Sequence, residues 1–456
     1  MKRQSRREFL KTAAAGGVAA SLPTILHAQL PDALKPTVPP NDRVQIALIG
    51  AGGQGMSDTR WALRVPGIEL TAVSDIYDGR LTRAKELWGQ QIFTTRDYRE
   101  VLARPEVDAV IIATPDHWHA HIATDAMKAG KDVYVEKPMV QKIDEGLGIV
   151  DAAKQTNRIL QVGSQRVSSI IYAKARELYK SGAIGELNMV EAWINRNSAM
   201  GAWQYTIPPD ASPQTIDWDR FLGNAPKRPF EPVRLFRWRN YRDYGTGIPG
   251  DLFVHLFTGI HYVLDSKGPT RVMATGGLRF WNDGRDVPDV MLGLYDYPKT
   301  SSHPAFTLAL KVNFAEGAGE NQAFRFVGPE GVLTIGGGSV TLAKNPRPKA
   351  PGYTIDTFPL ATQEAILKDY AAKYPFVTEL RPGSEEVFAA PSNYYDGYDH
   401  FVTFFNAMKS RKPVTEDAGF GFRAAAPALL TNDSYFEGQP VAWDAEAMKR
   451  TGGMSR

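Results

Sequence analysis

The sequence predicts an α/β fold class: a doubly wound parallel sheet followed by a second, α+β domain. Three observations carry this. Between residues 43 and 163, short apolar runs alternate with helical patterns, the order that builds a parallel sheet. Beyond residue 187, several long strand-like runs follow one another without an intervening helix, as in an antiparallel or mixed sheet. At 456 residues, 43% hydrophobic and 23% charged, the chain has room and composition for two domains with sizeable cores.

The first 28 residues stand apart. Lys2, Arg3, Arg6, Arg7 and Lys11 oppose only Glu8, so the net charge of +3 becomes −1 over the remainder. The basic balance therefore belongs to the leader, and no nucleic-acid partner is expected. SRREFLK (5–11) followed by an Ala/Gly-rich run resembles a twin-arginine export signal, and Leu26-His27-Ala28 offers a small residue before a cut. That run is too short and too rich in glycine to cross about 30 Å of hydrocarbon. The expected location is periplasmic or otherwise exported by the twin-arginine machinery, with no stable membrane insertion once the leader is cleaved. An uncleaved leader acting as an anchor is the alternative. The chain has no cysteine, which excludes disulfides, thiolate metal sites and cysteine nucleophiles together. The expected boundaries are 1–28 signal, 29–42 proline-rich linker, 43–165 first domain, 166–440 second domain and 441–456 tail.

In the first domain, VQIALI (44–49) reads as a buried parallel strand. GAGGQG follows, residues 50–55. Gly50 allows the tight turn, Gly52 close backbone approach to a pyrophosphate, and Gly55 the packing of the next helix; Gly53 and Gln54 complete the loop. The helix over 55–65 points its positive end at the phosphates. A strand over 68–74 ends at Asp75, twenty residues after Gly55. Its carboxylate can accept from both hydroxyls of an adenosine ribose and repels a 2′-phosphate. Strand, glycines, helix, strand and acid in this order predict a Rossmann domain binding NAD, with NADP disfavoured. Helices over 79–88 and 144–156, a short one ending at 105, and strands over 107–113, 132–135 and 159–162 complete this domain. In the second, a helix over 172–181 precedes strands over 187–195, 271–280, 290–297, 306–314 and 322–327, a hairpin over 332–342, and helices over 395–409 and 418–430. Residues 350–392 give no clear pattern.

Four stretches could carry chemistry. TPDHWH (114–119) falls at a strand end, the ligand edge of such sheets. With His121 it forms H-x-H-x-H, but alternation spreads these side chains and no carboxylate completes a ligand set, so no metal is expected. EKP (136–138) also follows a strand. Lys137 can stabilise charge at a nicotinamide, or form a plain surface ion pair. Asp251 and His255 are four apart on a helical pattern, so one could orient the other as a general base; the plainer reading is a buried, satisfied histidine. RLFRWRNYRDY (234–244) interleaves arginines with aromatics. It suits either a sugar-facing loop, with Trp238 on a ring face and Arg237 or Arg239 on hydroxyls, or a salt-bridged loop anchored by its rings.

Together these motifs, with VGSQR (162–166) and WDRFLGNAP (218–226), resemble the Gfo/Idh/MocA oxidoreductases over about residues 43–440. The resemblance implies a Rossmann domain followed by one with a large open, mostly antiparallel sheet, whose other face often joins copies in a homo-oligomer. It implies cofactor contacts at Thr114, Pro115, His119, Glu136, Lys137 and Gln165, and substrate contacts at Arg166, Trp238, Arg239 and Thr258. Lys137, Asp251 and His255 match the family's lysine and aspartate–histidine pair, with His255 as general acid/base. Thr258 stands where the family often has a further acid. The expected activity is hydride transfer between a tightly bound nicotinamide and a hydroxyl or carbonyl of a sugar or sugar derivative. The alternative is an NAD-dependent glycoside hydrolase or lyase that oxidises C3 transiently and eliminates the leaving group. A non-enzymatic protein keeping NAD as a structural group is a third.

Overall fold

The computed structural model describes residues 43–345, 350–375 and 385–451; the expected leader and linker lie outside the described residues. β1 (Val44–Ile49) opens the first domain. Ile46 and Leu48 join one core cluster, Ala47 and Ile49 another, so both faces of the strand are covered, as its unbroken apolar run requires. There follow α1 (Gly53–Ala62), β2 (Ile68–Ser74), α2 (Asp78–Trp88), β3 (Phe93–Thr95), α3 (Tyr98–Leu102), β4 (Ala109–Ile112), α4 (His119–Lys128), β5 (Asp132–Glu136), α5 (Gly146–Thr156) and β6 (Leu160–Gly163). The six strands are parallel, in the order β3-β2-β1-β4-β5-β6. Winding reverses between β1 and β4, and ligands of such sheets sit beyond the carboxyl ends of these two strands.

The second part holds α6 (Ile170–Lys180), β7 (Met189–Asn195), α7 (Trp218–Leu222), α8 (Pro232–Phe236), a π-helical turn (Pro249–Phe253) and α9 (Val254–Leu264). Then come β8 (Arg271–Gly277), β9 (Val290–Tyr297), β10 (Phe306–Asn313), β11 (Asn321–Gly328), β12 (Gly331–Gly336) and β13 (Ser339–Lys344). The chain ends with α10 (Leu360–Lys373), β14 (Glu385–Ala389), α11 (Asp396–Ser410), α12 (Ala418–Glu437), β15 (Val441–Asp444) and β16 (Lys449–Arg450). The ten-stranded sheet runs β14-β13-β12-β11-β7-β10-β9-β8-β15-β16. Only β7 and β10 pair in parallel; the sheet is otherwise antiparallel, as expected. Its strands alternate buried and exposed residues, with one face against α6, α9 and α12. Met273, Leu292 and Leu294 stand exposed on the other face.

Three features were not legible beforehand. Phe401, Phe404 and Phe405 of α11 share a core cluster with Ile46, Leu48 and Ile111, and Phe401 stacks on Tyr134 of β5 at 4.4 Å. One face of the first sheet is thus completed from near the other end of the chain, so the boundary at 165/166 divides the sequence but not the packing. β15 pairs with β8, so the second sheet continues past residue 440 into what was expected to be a tail. α12 runs to Glu437 rather than residue 430, straight through Pro427; burial of residues 424–430 outweighs the lost backbone donor. The unassigned stretch holds α10, none of whose residues is buried, and edge strand β14.

Candidate functional site

The glycine turn is built as its sequence demands. Gly50 has φ +92°, and a Cβ there would lie 2.7 Å from the carbonyl carbon and oxygen of Ala113 and 2.8 Å from the Thr114 nitrogen. A Cβ on Gly55 would meet the Gly50 oxygen. At Gly53, by contrast, a Cβ would meet nothing within 4 Å, and at Gly52 only the Arg80 guanidinium. The first two glycines close the turn; the next two leave backbone open to a ligand. The first turn of α1 has no acidic residue and no side-chain cap, so no side chain of the helix competes with an anion for its first amide N–H groups. Gly50→Ala should therefore strip bound nucleotide and lower thermal stability. Backbone strain alone costs about 1–3 kcal/mol, before any clash; melting temperature and nucleotide content per purified chain check this.

A cavity of about 720 Å³ begins at this turn. Gly50, Gly52, Gly53, Gln54 and Asp75 line one end. Asp75 is buried, its Oδ2 accepting from the Ala51 N–H at 2.8 Å and its Oδ1 from the Tyr77 N–H at 3.0 Å. Oδ1 keeps a lone pair for a ribose hydroxyl, whereas Oδ2 also accepts from Arg80 Nη1. Arg80 lies 3.4 Å from Oδ2, which leaves a cation at this end as well. The residues present fit an adenine dinucleotide.

At the other end, Thr114, Pro115, Glu136 and Lys137 come up from β4 and β5, and Trp238 and Arg239 come from the second part. The Lys137 ammonium donates to Oδ1 of Asp251 at 2.9 Å and to its main-chain oxygen at 3.0 Å. Arg239 Nε donates to the same Oδ1 at 3.0 Å, and its guanidinium stacks 4.2 Å over the Trp238 ring. Burial would raise the Asp251 pKa, but Lys137 and Arg239 outweigh it and hold the carboxyl well below the usual range. Lys137 has three donors and spends two here, leaving one for a bound oxygen.

The expected Asp251–His255 pair does not form. The π-helical turn over Pro249–Phe253 breaks the regular four-residue alignment, and two cations claim the carboxylate. His255 Nδ1 is buried with no hydrogen bond among the described residues. Burial, then the neighbouring Lys137 ammonium, hold its pKa well below the ordinary histidine value, so it is a neutral base. It feels the charges of Lys137 and Arg196, which line the first cavity. It also feels Arg166, which lines a second cavity of about 450 Å³; His255 itself is among the lining residues of neither cavity.

Other expected contacts fall differently. His119 lines the cavity, but its Nδ1 lies 2.7 Å from the Pro138 oxygen and its Nε2 2.8 Å from the Thr114 oxygen. It ties the ends of β4 and β5 together rather than offering its ring nitrogens to a cofactor. His117 Nε2 is 2.7 Å from the Phe221 oxygen and His121 is paired with Asp125, so the three imidazoles work separately. Among the described residues no group of three or more His, Cys, Asp and Glu could hold a metal. Gln165, at φ +62°, donates to the Gly163 oxygen at 2.6 Å and reaches Glu136 at 3.4 Å. Arg166 pairs with Asp396 at 3.1 Å, in the second cavity rather than the first. Thr258 is fully enclosed, bonded to Ser164 and Glu416, and offers nothing to a substrate. Arg237 anchors its loop through the Tyr205 oxygen, while Tyr241 and Tyr244 pack with Tyr77 and Phe221. The arginine–aromatic stretch is thus both structural anchor and cavity wall.

Sequence reasoning missed Asp116, Arg196 and Glu416. Asp116 lies within TPDHWH, lines the cavity and accepts from the Thr246 hydroxyl at 2.6 Å; burial pushes its pKa up to about 7. Nothing local marks Arg196 or Glu416.

Residues 44–164 match the family model described as oxidoreductase family, NAD-binding Rossmann fold, and residues 192–276 its C-terminal alpha/beta domain. Residues 3–23 match the twin-arginine translocation signal, which points to export, and no described helix is long and apolar enough to cross a membrane. Among curated proteins, the chain is 34% identical over 212 residues to glycosyl hydrolase family 109 protein 1 of Shewanella sp. (strain ANA-3), covering 41% of this chain and 45% of that protein. It is 33% identical over 212 residues, with the same coverage, to an alpha-N-acetylgalactosaminidase of Shewanella oneidensis. The match thus spans under half the length of these relatives. Among solved structures it resembles levoglucosan dehydrogenase in complex with NADH (TM-score 0.61, 18% identity, 88% of this chain and 99% of that one). It is also similar to GenD2 from gentamicin A biosynthesis in complex with NAD (TM-score 0.62, 19% identity, 91% and 99%).

Proposed function

This chain belongs to the Gfo/Idh/MocA oxidoreductase family, whose models match both its domains, and we propose that it moves a hydride between a tightly held NAD and a hydroxyl or carbonyl carbon of a sugar or sugar derivative. The observation that carries this is one cavity running from the glycine turn to Lys137 and Arg239, both of which bind Asp251. NAD, when bound, supplies the hydride acceptor or donor. Lys137 directs its remaining N–H at the reacting oxygen and stabilises negative charge there. His255 takes the hydroxyl proton during oxidation and returns it during reduction. Asp251 holds the ammonium in place rather than the imidazole. Arg239, stiffened by Trp238, presents terminal N–H groups to neighbouring hydroxyls. Free nicotinamide nucleotides are scarce outside the cytoplasm, so the cofactor is carried out with the folded protein and recycled on it. The apolar outer sheet face supports assembly with further copies of the chain.

A second reading follows from the curated relatives: a glycoside hydrolase using the same NAD transiently. One experiment separates the two. Purified protein is denatured and its nucleotide identified by mass spectrometry, then sugars and aryl glycosides are screened for nicotinamide absorbance change and aglycone release. Net reduction of NAD by a free sugar supports the oxidoreductase. Aglycone release without net reduction overturns it in favour of the hydrolase, and absence of nucleotide overturns both.

A further inference from the structure

Glu416, between α11 and α12, is a buried acid that the proposed chemistry does not use. Its side chain is 1% exposed, and one oxygen, Oε2, has no hydrogen-bond partner among the described residues. The other, Oε1, accepts from the Ser164 hydroxyl and from the Thr258 hydroxyl at 3.4 Å; the two hydroxyls are 3.0 Å apart. The Glu416 main-chain oxygen accepts from the Val162 N–H of β6 at 3.0 Å. The acid is therefore fixed at both ends. Ser164 immediately precedes Gln165 and Arg166. Thr258 lies three residues after His255 on α9, on the same side of the helix. A carboxyl with no cation in contact is an expensive bond between two hydroxyls, and its place explains it.

Resting on the oxidoreductase reading, we propose that Glu416 is a positioning residue for the reaction, clamping the end of β6 to the face of α9 that carries His255. It acts on the imidazole through Thr258, and on Gln165 and Arg166 through Ser164. Burial, with repulsion from Glu136, raises its pKa to about 8 against the pull of the Ser164 and Thr258 hydroxyls and of Arg166; Tyr134 also lies within its field. Both hydroxyls donate to Oε1, and such bonds strengthen on an ionised acceptor, so the clamp tightens as the carboxyl loses its proton above neutral pH.

The test compares Glu416→Ala and Glu416→Gln in the full chain with nucleotide bound. Glu416→Ala should lower kcat about 10²-fold with KM little changed, the cost of misplacing a reacting group by about 1 Å. It should also move the His255 imidazole resonance in a spectrum of ¹⁵N-histidine-labelled protein, assigned with His255→Ala. Glu416→Gln keeps an acceptor and a donor, so it should restore kcat at pH 7 and abolish the inflection near pH 8. If Glu416→Ala lowers the melting temperature yet leaves kcat, pH profile and the His255 resonance unmoved, the residue is merely structural and the proposal is overturned. If no carbohydrate is turned over by the unaltered protein, the oxidoreductase reading fails, while an unmoved or moved His255 resonance still decides the clamp.

Discussion

Lys137→Met should reduce kcat for carbohydrate oxidation by about 10²–10³-fold, the usual cost of deleting one donor aimed at developing oxyanion charge. The size follows from how Lys137 is held. Two of its N–H bonds are fixed by Asp251, so the third is directed without further loss of freedom, and the side chain is only 10% exposed. Water cannot replace it well in so enclosed a place. Methionine keeps most of the volume, so the cavity wall stays intact. Asp251 does not become an unpaired buried charge, because Arg239 still reaches Oδ1 at 3.0 Å; this spares the variant the about 3–5 kcal/mol that breaking a buried pair outright costs. The melting temperature should fall modestly and nucleotide content should hold. Steady-state kinetics, thermal unfolding and mass spectrometry of bound nucleotide check the three together. A loss in nucleotide content matching the loss in kcat would instead make Lys137 a cofactor anchor.

The same cluster shows where the sequence was readable. The glycine turn, its flanking strands and Asp75 were legible because each constraint is local: a left-handed φ at Gly50, a close approach at Gly55, an acid at the end of the next strand. Lys137 was legible because it ends a strand at the ligand edge. The Asp251–His255 pair was misread because four-residue spacing means one face only in a regular α-helix, and Asp251 lies within the π-turn over Pro249–Phe253. Thr258 was misread for a different reason. Its environment is made by Ser164 and Glu416, one about ninety residues before it and the other about 160 after it, and no periodicity reports a contact of that range. The packing of α11 on the first sheet escaped in the same way: its phenylalanines announce a buried face, not which sheet buries it.

His255→Ala should lower kcat/KM by about 10²–10⁴-fold, the range for removing a general base, and should change the shape of the pH profile as well as its height. In the unaltered protein the imidazole is held neutral by burial and by Lys137. Its folded-state pKa is below the ordinary value near 6.5, so the base stays deprotonated as pH falls through that value. kcat/KM for oxidation should therefore be flat across neutral pH and decline only well below the usual histidine range. His255→Ala should remove that acid limb and leave a low residual rate. The same shift has a stability consequence of fixed sign. Below pH 6.5 the unfolded chain binds a proton at this position that the folded chain refuses, so His255 destabilises the fold progressively as pH drops toward its depressed pKa. Replacing it removes that penalty, and His255→Ala should lose less stability at pH 5 than at pH 7 relative to the unaltered protein. A pH series of kcat/KM beside a pH series of melting temperature measures both. An acid limb that survives in His255→Ala would assign it to another group, with Asp116 and Glu136, both held near 7 by burial, the next candidates along the cavity wall.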